Sequence, residues 1–443
     1  MTIYLILTSG ILGVLLGRFL FGRWFNHVSL YSGIWGSSLV LFECRLIDYY
    51  PLEPETWLII AAGWISFVCG SLVVVLARWA CGRPTGSAKR VPIQRTSEQG
   101  NRELGFLKKI LWVTVILTLS AALHDWYVVV QKFGSISNTL VRGALLYSLH
   151  VSEGIPGKIP YLSSLSLSAA LLGGIYTAKA GKLSLVAIAP LFVCVLVDLS
   201  NMSRALMVMA AIIFCTGYSM TGKNTARVTG TRPSSRLQRF VMVMVGVALL
   251  IVAGEFVRST RHANEDIVGA STALKHLQGA SFITPTIYMY LTVHHGVLNQ
   301  YLMQNDEKTF LGANTFASIY RVLSKIGFDT YVNAYQRPYN TPVPANTGTY
   351  LRELHADFGL FGVLFAPFLI GCLASYFWYR FLETQRYVDL AVLGYFQVII
   401  AMSVFYLATL VGYLLVYLIG ALVVATIIDR KTDRLRITIP SVI

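Results

Sequence analysis

Charge is scarce in this chain. Only 13% of its 443 residues are Asp, Glu, Lys or Arg, against 55% that are hydrophobic. Together with a mean hydropathy of +0.61, this excludes both a disordered chain and an ordinary water-soluble globule. Acidic residues are rarer still, 21 against 36 basic ones, so the net charge is +15. The basic residues gather in short stretches between apolar runs. That pattern sets orientation in a bilayer and implies no nucleic-acid partner. Cysteine is sparse as well. Cys44, Cys69, Cys81, Cys194, Cys215 and Cys372 lie in or beside apolar runs with no Cys-x-x-Cys pair, so neither a disulfide framework nor a zinc site is indicated. There is no Ser-His-acid nucleophile motif, no phosphate loop and no His-Glu-x-x-His on a helix. His294 and His295 are adjacent, so on a helix they point in different directions and make a poor metal pair. His124-Asp125 inside an apolar run has the composition of a proton relay. The absence of an internal repeat and of paired broken helices speaks against a transporter. The first residues resemble a signal anchor without a small-residue cleavage site.

What is present is a succession of apolar runs. Residues 3–21, 28–46, 57–77, 110–130, 161–178, 183–199, 205–221, 240–256 and 360–377, with a hairpin over 390–428, predict about eleven transmembrane helices. When the spans alternate, the basic stretches 83–109 and 223–239 and the group Arg430, Lys431, Arg434 and Arg436 all fall on one side. That side is the cytoplasm, so the N-terminus is expected outside and the C-terminus inside. The expected fold class is an all-α polytopic membrane protein in three parts. These are an N-terminal transmembrane bundle (1–256), one large extracytoplasmic loop (257–359) and C-terminal transmembrane helices (360–443). The loop, of roughly a hundred residues, far exceeds ordinary connections, and such loops usually carry function. Its apolar, aromatic stretch 285–303 reads as an interfacial helix lying on the membrane.

The chemistry on the outer side is cationic. Arg204 sits in a tight turn between two spans, Arg258 and Arg261 follow another, and Arg321, Arg337 and Arg352 lie in the large loop. Arginine should be scarce on that face. Its permanent charge and planar fork of donors suit pyrophosphate or carboxylate oxygens. The alternative is pairing with Glu255, Glu265, Asp266 or Asp329. The densest stretch is 346–362, where Arg352, Glu353, His355 and Asp357 stand at the entrance to the apolar run 360–377. Charges left unpaired there are costly and mark a site. His355 and Asp357 are both candidates for a general base, while Asp357 orienting the helix and pairing with Arg352 is the structural alternative.

Asn346-Thr-Gly-Thr-x-Leu and Leu354-x-x-Asp357-Phe-Gly-Leu-x-Gly362, after a large late loop and entering a span, resemble the Wzy-type O-antigen and oligosaccharide repeat-unit polymerases. Ser203-Arg204-Ala205 at the head of a span is similar to an element of the same superfamily, which includes the O-antigen ligases. A spacing of Arg, ten residues, Gly occurs at Arg258 to Gly269 and at Arg337 to Gly348. Gly348 and Thr349 stand where the ligases carry His-Asn, which favours the polymerase. The resemblance implies a GT-C-like glycosyltransferase of the bacterial inner membrane, needing neither metal nor cofactor. Its donor and acceptor would be glycans linked to undecaprenyl pyrophosphate, with membrane lipid and a chain-length regulator protein as further partners. It would move the growing chain onto a sugar hydroxyl of the next lipid-linked unit. Arg258, His355 and Asp357 are then the expected catalytic residues, and Arg204, Arg261, Arg337 and Arg352 the expected substrate-binding ones. An O-antigen ligase-like transferase and a lipid-linked oligosaccharide flippase remain the alternatives.

Overall fold

The computed structural model describes residues 2–83, 97–152, 155–159, 161–228, 269–280, 285–305, 307, 309, 312–328 and 336–437. In chain order the helices are α1 (Thr2–Phe21), α2 (His27–Glu43), α3 (Pro54–Ala80), α4 (Ser97–Phe133), α5 (Ile136–Val141), α6 (Gly143–Ser152), α7 (Ser166–Ala180), α8 (Leu185–Asn201), α9 (Ala205–Val228), α10 (Thr272–Ala280), α11 (Pro285–Gln304), α12 (Ala317–Lys325), α13 (Tyr350–Thr384), α14 (Tyr387–Met402) and α15 (Gly412–Ile437). Among the described residues the only strands are two short ones, β1 (Tyr339–Asn340) paired antiparallel with β2 (Pro344–Ala345).

Among the described residues six stretches are long and apolar enough to cross a membrane: Thr2–Phe21, Pro54–Ala80, Glu98–Phe133, Ala205–Gly222, Tyr350–Thr384 and Gly412–Asp433. Leu185–Asn201 and Tyr387–Met402 are shorter apolar helices. The chain is thus mainly helical and has the helices of a multi-pass membrane protein. The expected span 240–256 lies outside the described residues.

Two compact units are built from discontinuous segments. The first comprises Met1–Lys89, Asn264–Tyr376 and Ile399–Val411; the second comprises Arg90–Ala263, Phe377–Val398 and Gly412–Ile443. Much of the stretch that the sequence presents as one external loop therefore folds together with the first three helices.

In the first unit α2 starts on Asn26, whose Oδ1 accepts the Ser29 backbone N–H at 2.9 Å and satisfies one of the four orphan donors of a helix start. α11 lies against α2, the connection 44–53 and the start of α3. Ser38 Oγ donates to Leu291 O and sits 2.8 Å from His295 Nε2. Tyr49 OH meets Thr292 Oγ1, and Asn299 Oδ1 accepts from Glu53 N and Thr56 Oγ1. The helix expected over 285–303 packs one face against the protein, with Thr292, His294, His295, Asn299 and Tyr301 buried. An apolar stretch with a few polar residues reads alike for membrane-surface and protein-buried helices; the difference lies in partners far along the chain. Burial holds His295 down to about 3, with His294 adding to the shift, so its ring is neutral at physiological pH.

In the second unit α7 is central, with every residue from Ser166 to Ala178 buried. A Cβ on Gly174 would stand 2.2 Å from Phe214 O, so glycine there lets α7 and α9 approach backbone to backbone. Lys179 pairs with Glu103 at 2.6 Å, and Tyr387 OH donates to the same carboxylate oxygen at 2.9 Å.

Candidate functional site

Residues 346–358 form the hub of the first unit. The backbone breaks at Gly359, with φ 62° and ψ −150° inside α13. That conformation is open essentially to glycine alone. It separates an initial arm, Tyr350 to Phe358, from the long apolar part of the helix. Gly362 completes the break: a Cβ there would meet Leu354 O at 2.3 Å. The Asp-Phe-Gly-Leu-Phe-Gly motif is thus a helix interruption that sets the arm at an angle to the span. Gly359→Ala is expected to cost about 1–3 kcal/mol of stability, read as a lowered thermal midpoint of the purified protein, with activity reduced at temperatures where the variant remains folded.

The arm carries a closely connected charge network. Arg352 is buried and its guanidinium donates to Glu307 Oε2 from Nη2 at 2.8 Å and from Nε at 3.2 Å. It also donates to the backbone oxygens of Asn346 and Arg337, both at 2.9 Å. The rings of Tyr339 and Tyr301 lie 5.0 and 5.9 Å from its central carbon. Arg352 therefore joins three separate pieces of chain: the 307 loop, the start of the β-hairpin and the 346–349 turn. Arg337 is exposed, its guanidinium over the Tyr339 ring at 5.6 Å.

His355 lies one turn along. Its Nδ1 is 2.8 Å from Tyr301 OH, with the two rings edge to face. That contact fixes the ring and leaves Nε2 as the nitrogen without a bond among the described residues. Burial first, and then the neighbouring Glu307 carboxylate, push the Tyr301 phenol above its ordinary range, with Arg352 opposing. The phenol therefore stays protonated.

Asp357 is an anchor by geometry. Its Oδ1 accepts from Thr309 Oγ1, from Asn314 N at 3.1 Å and from Asn314 Nδ2 at 3.0 Å; its Oδ2 accepts from Thr315 N and Thr315 Oγ1, both at 2.7 Å. Five donors occupy the lone-pair directions of one carboxylate. Glu353, also buried, accepts from Gln336 Nε2 and from Leu407 N, tying the arm to the 400–411 connection. Tyr350 continues the link inward, its OH 2.8 Å from Tyr31 OH and its N–H donating to Ser403 O.

The structure thus brings four of the residues singled out by sequence, Arg337, Arg352, His355 and Asp357, into one neighbourhood. Arg204 belongs to the second unit. It lies half-buried in the turn between α8 and α9, beside Asp198, whose carboxylate accepts from Ser203 Oγ, Leu206 N and Met207 N and so caps α9. Arg258 and Arg261 lie outside the described residues. The second unit has a further polar group. Lys158 Nζ donates to Ser200 O at 3.0 Å and Asn201 Oδ1 at 2.7 Å. Burial pulls its amine down to about 8, against the pull of Asp125. His150 meets Tyr413 OH at 2.9 Å and is held down to about 4, first by burial and then by Lys158. Among the described residues no three His, Cys, Asp or Glu side chains converge as a metal site would need.

Sequence reasoning passed over Tyr301, Glu307 and Tyr339, and over the Thr309, Asn314 and Thr315 donors of Asp357. The one signal available for Glu307 was that a buried arginine needs an acid; among the several acids of the large loop, nothing in sequence selects this one. Comparison of the chain with family models, with curated proteins and with solved structures found no match.

Proposed function

We propose that this chain is a Wzy-type polymerase that joins oligosaccharide repeat units carried on undecaprenyl pyrophosphate, at the periplasmic face of the bacterial inner membrane. The observation that carries the reading is His355. It stands on an arm at the head of an apolar helix, with Nδ1 held by Tyr301 and Nε2 left for a substrate hydroxyl. In the reaction, the acceptor sugar's hydroxyl oxygen attacks the anomeric carbon of the donor glycan. The bond from that carbon to the pyrophosphate oxygen breaks, undecaprenyl pyrophosphate leaves, and the hydroxyl proton passes to His355 Nε2. The leaving group takes up negative charge, so cations aimed at it supply much of the rate. Arg337 is the exposed cation beside this arm; the resemblance also implies carrier contacts from Arg204, Arg258 and Arg261. Arg352 and Asp357 are positioning residues, since each is already fully engaged by protein groups. The full architecture is about eleven spans in a GT-C-like arrangement, with the N-terminus periplasmic and the C-terminus cytoplasmic. A chain-length regulator protein is the partner that would set product size.

Replacing Arg204, Arg258 or Arg337 by Lys keeps the charge and loses the two-pronged fork. Each variant is expected to give shortened or sparse polymer ladders at normal protein levels; full ladders from all three would count against a pyrophosphate contact. The function itself is tested by deleting the gene in its host. The expected phenotype is loss of polymer with accumulation of single lipid-linked repeat units, restored by the wild-type chain. Unchanged polymer would reject the assignment, and accumulation of the units on the cytoplasmic side would favour a flippase.

A further inference from the structure

The short helix α12 is amphipathic in the wrong sense for a water-exposed surface. Its polar side faces the protein: Ser318 Oγ donates to Thr409 O at 2.7 Å and Arg321 Nη1 to Leu410 O at 3.1 Å, with Ala317 buried beside them. Its apolar side faces out. At 3.6 residues per turn, Ile319, Val322 and Ile326 share one side and are 47%, 51% and 66% exposed, with Phe316 and Phe328 exposed at either end. A monomer in water does not keep such a stripe bare.

Two observations say what covers it. The first is where the helix is pinned. Asp357 holds Asn314 and Thr315, the residues that lead into α12, and the Phe358 and Phe316 rings fill the space that a Cβ on Gly312 would need. The start of α12 therefore lies beside the Gly359 break, where the apolar part of α13 begins. The second is that this part of α13 shows outward-facing Leu360, Phe361, Leu364 and Phe365, the face that a membrane span presents to acyl chains. α12 thus stands at the edge of a lipid-covered surface, with its own apolar stripe turned outward and Ser318 and Arg321 bonded to backbone carbonyls.

We propose that α12 is a membrane-surface anchor, its apolar stripe seated in the headgroup–acyl boundary of the leaflet at the Gly359 end of the α13 span. Through Asp357 the anchor fixes the depth of the His355 arm relative to the bilayer surface. The docking argument needs only the packing of α12, and stands whether or not the chain is a polymerase.

The test uses the full chain in lipid nanodiscs, with single cysteines at residues 319, 322 and 326 and a control at Ser324, which faces away from the stripe. Native accessible cysteines are replaced first, and each site carries an environment-sensitive fluorophore. The lipid is phosphatidylcholine spin-labelled either near the glycerol backbone or deep in the acyl chain. The anchor predicts blue-shifted emission at 319, 322 and 326, quenched more by the shallow label than by the deep one at about 5–10 Å of burial, and much weaker quenching at 324. Solvent-like emission with no quenching at all three sites would overturn the proposal. So would loss of lipid quenching together with cross-linking of 322 to a second copy, which would make the stripe a protein interface. Stronger quenching by the deep label would also overturn it, by placing the helix inside the hydrocarbon.

Discussion

Exchanging His355 for alanine is expected to lower repeat-unit joining by about 10²–10⁴-fold, with the amount of folded protein in the membrane unchanged. His355 is half-buried, and its one described side-chain bond is to Tyr301, so its loss removes little packing. Tyr301→Phe separates the base from its support. The imidazole stays but loses the hydroxyl that fixes Nδ1, so activity should fall to an intermediate level. The acid limb of the pH profile distinguishes a base from a mere spacer. Protonating Nε2 removes the base, so wild-type turnover should decline as pH falls through the imidazole titration, and the residual activity of His355→Ala should lack that limb. Near-normal turnover in His355→Ala would remove this arm from the chemistry.

Breaking the Arg352–Glu307 pair is expected to have the largest effect on stability. Arg352 is 1% exposed, and truncating it leaves the Glu307 carboxylate without its cation in a largely enclosed site, with Asn346 O and Arg337 O also stripped of a donor. The cost of such a broken pair is about 3–5 kcal/mol. Arg352→Ala should therefore lower the thermal midpoint sharply and reduce protein level, losing activity as a consequence. Glu307→Gln should do less, since an amide oxygen still accepts from the guanidinium. The combination Arg352→Met with Glu307→Leu should recover part of the loss, because replacing both partners by apolar groups removes the stranded charge. If Arg352→Ala unfolded like wild type while activity vanished, the residue would return to the substrate-binding role that its sequence position first indicated.

Why some of this was legible in sequence and some was not follows from range. The apolar runs behind α1, α3 and α9 need only local composition, and those helices fall close to where the runs predict; α4 and α13 begin upstream of their runs, at Ser97 and Tyr350, where polar residues continue the helix. The Gly359 break was not read from the sequence, although a backbone conformation restricted to glycine leaves a trace in the residue type. The dense charge at 352–357 was visible from local composition. Its internal division of labour was not. Arg352 finds its acid 45 residues upstream, and Asp357 is occupied in part by backbone N–H groups of Asn314 and Thr315, which every sequence has and none advertises. The packing of α11 was not legible, because the partners that bury one of its faces, Ser38, Tyr49 and Thr56, lie more than two hundred residues away. The run 161–178, read as one span among others, contains α7, buried throughout from Ser166 to Ala178, a distinction set by neighbours and not by its own apolarity.

The most direct measurement is a reconstituted joining assay. Lipid-linked repeat units are extracted from a strain lacking this gene and supplied to the purified chain in proteoliposomes, and products are resolved by size while undecaprenyl pyrophosphate release is followed. The account predicts a ladder of lengthening glycans, one undecaprenyl pyrophosphate released per bond formed, and loss of both with His355→Ala. Units that cross the bilayer or stay unchanged in length, with no undecaprenyl pyrophosphate released by the wild-type chain, would contradict it.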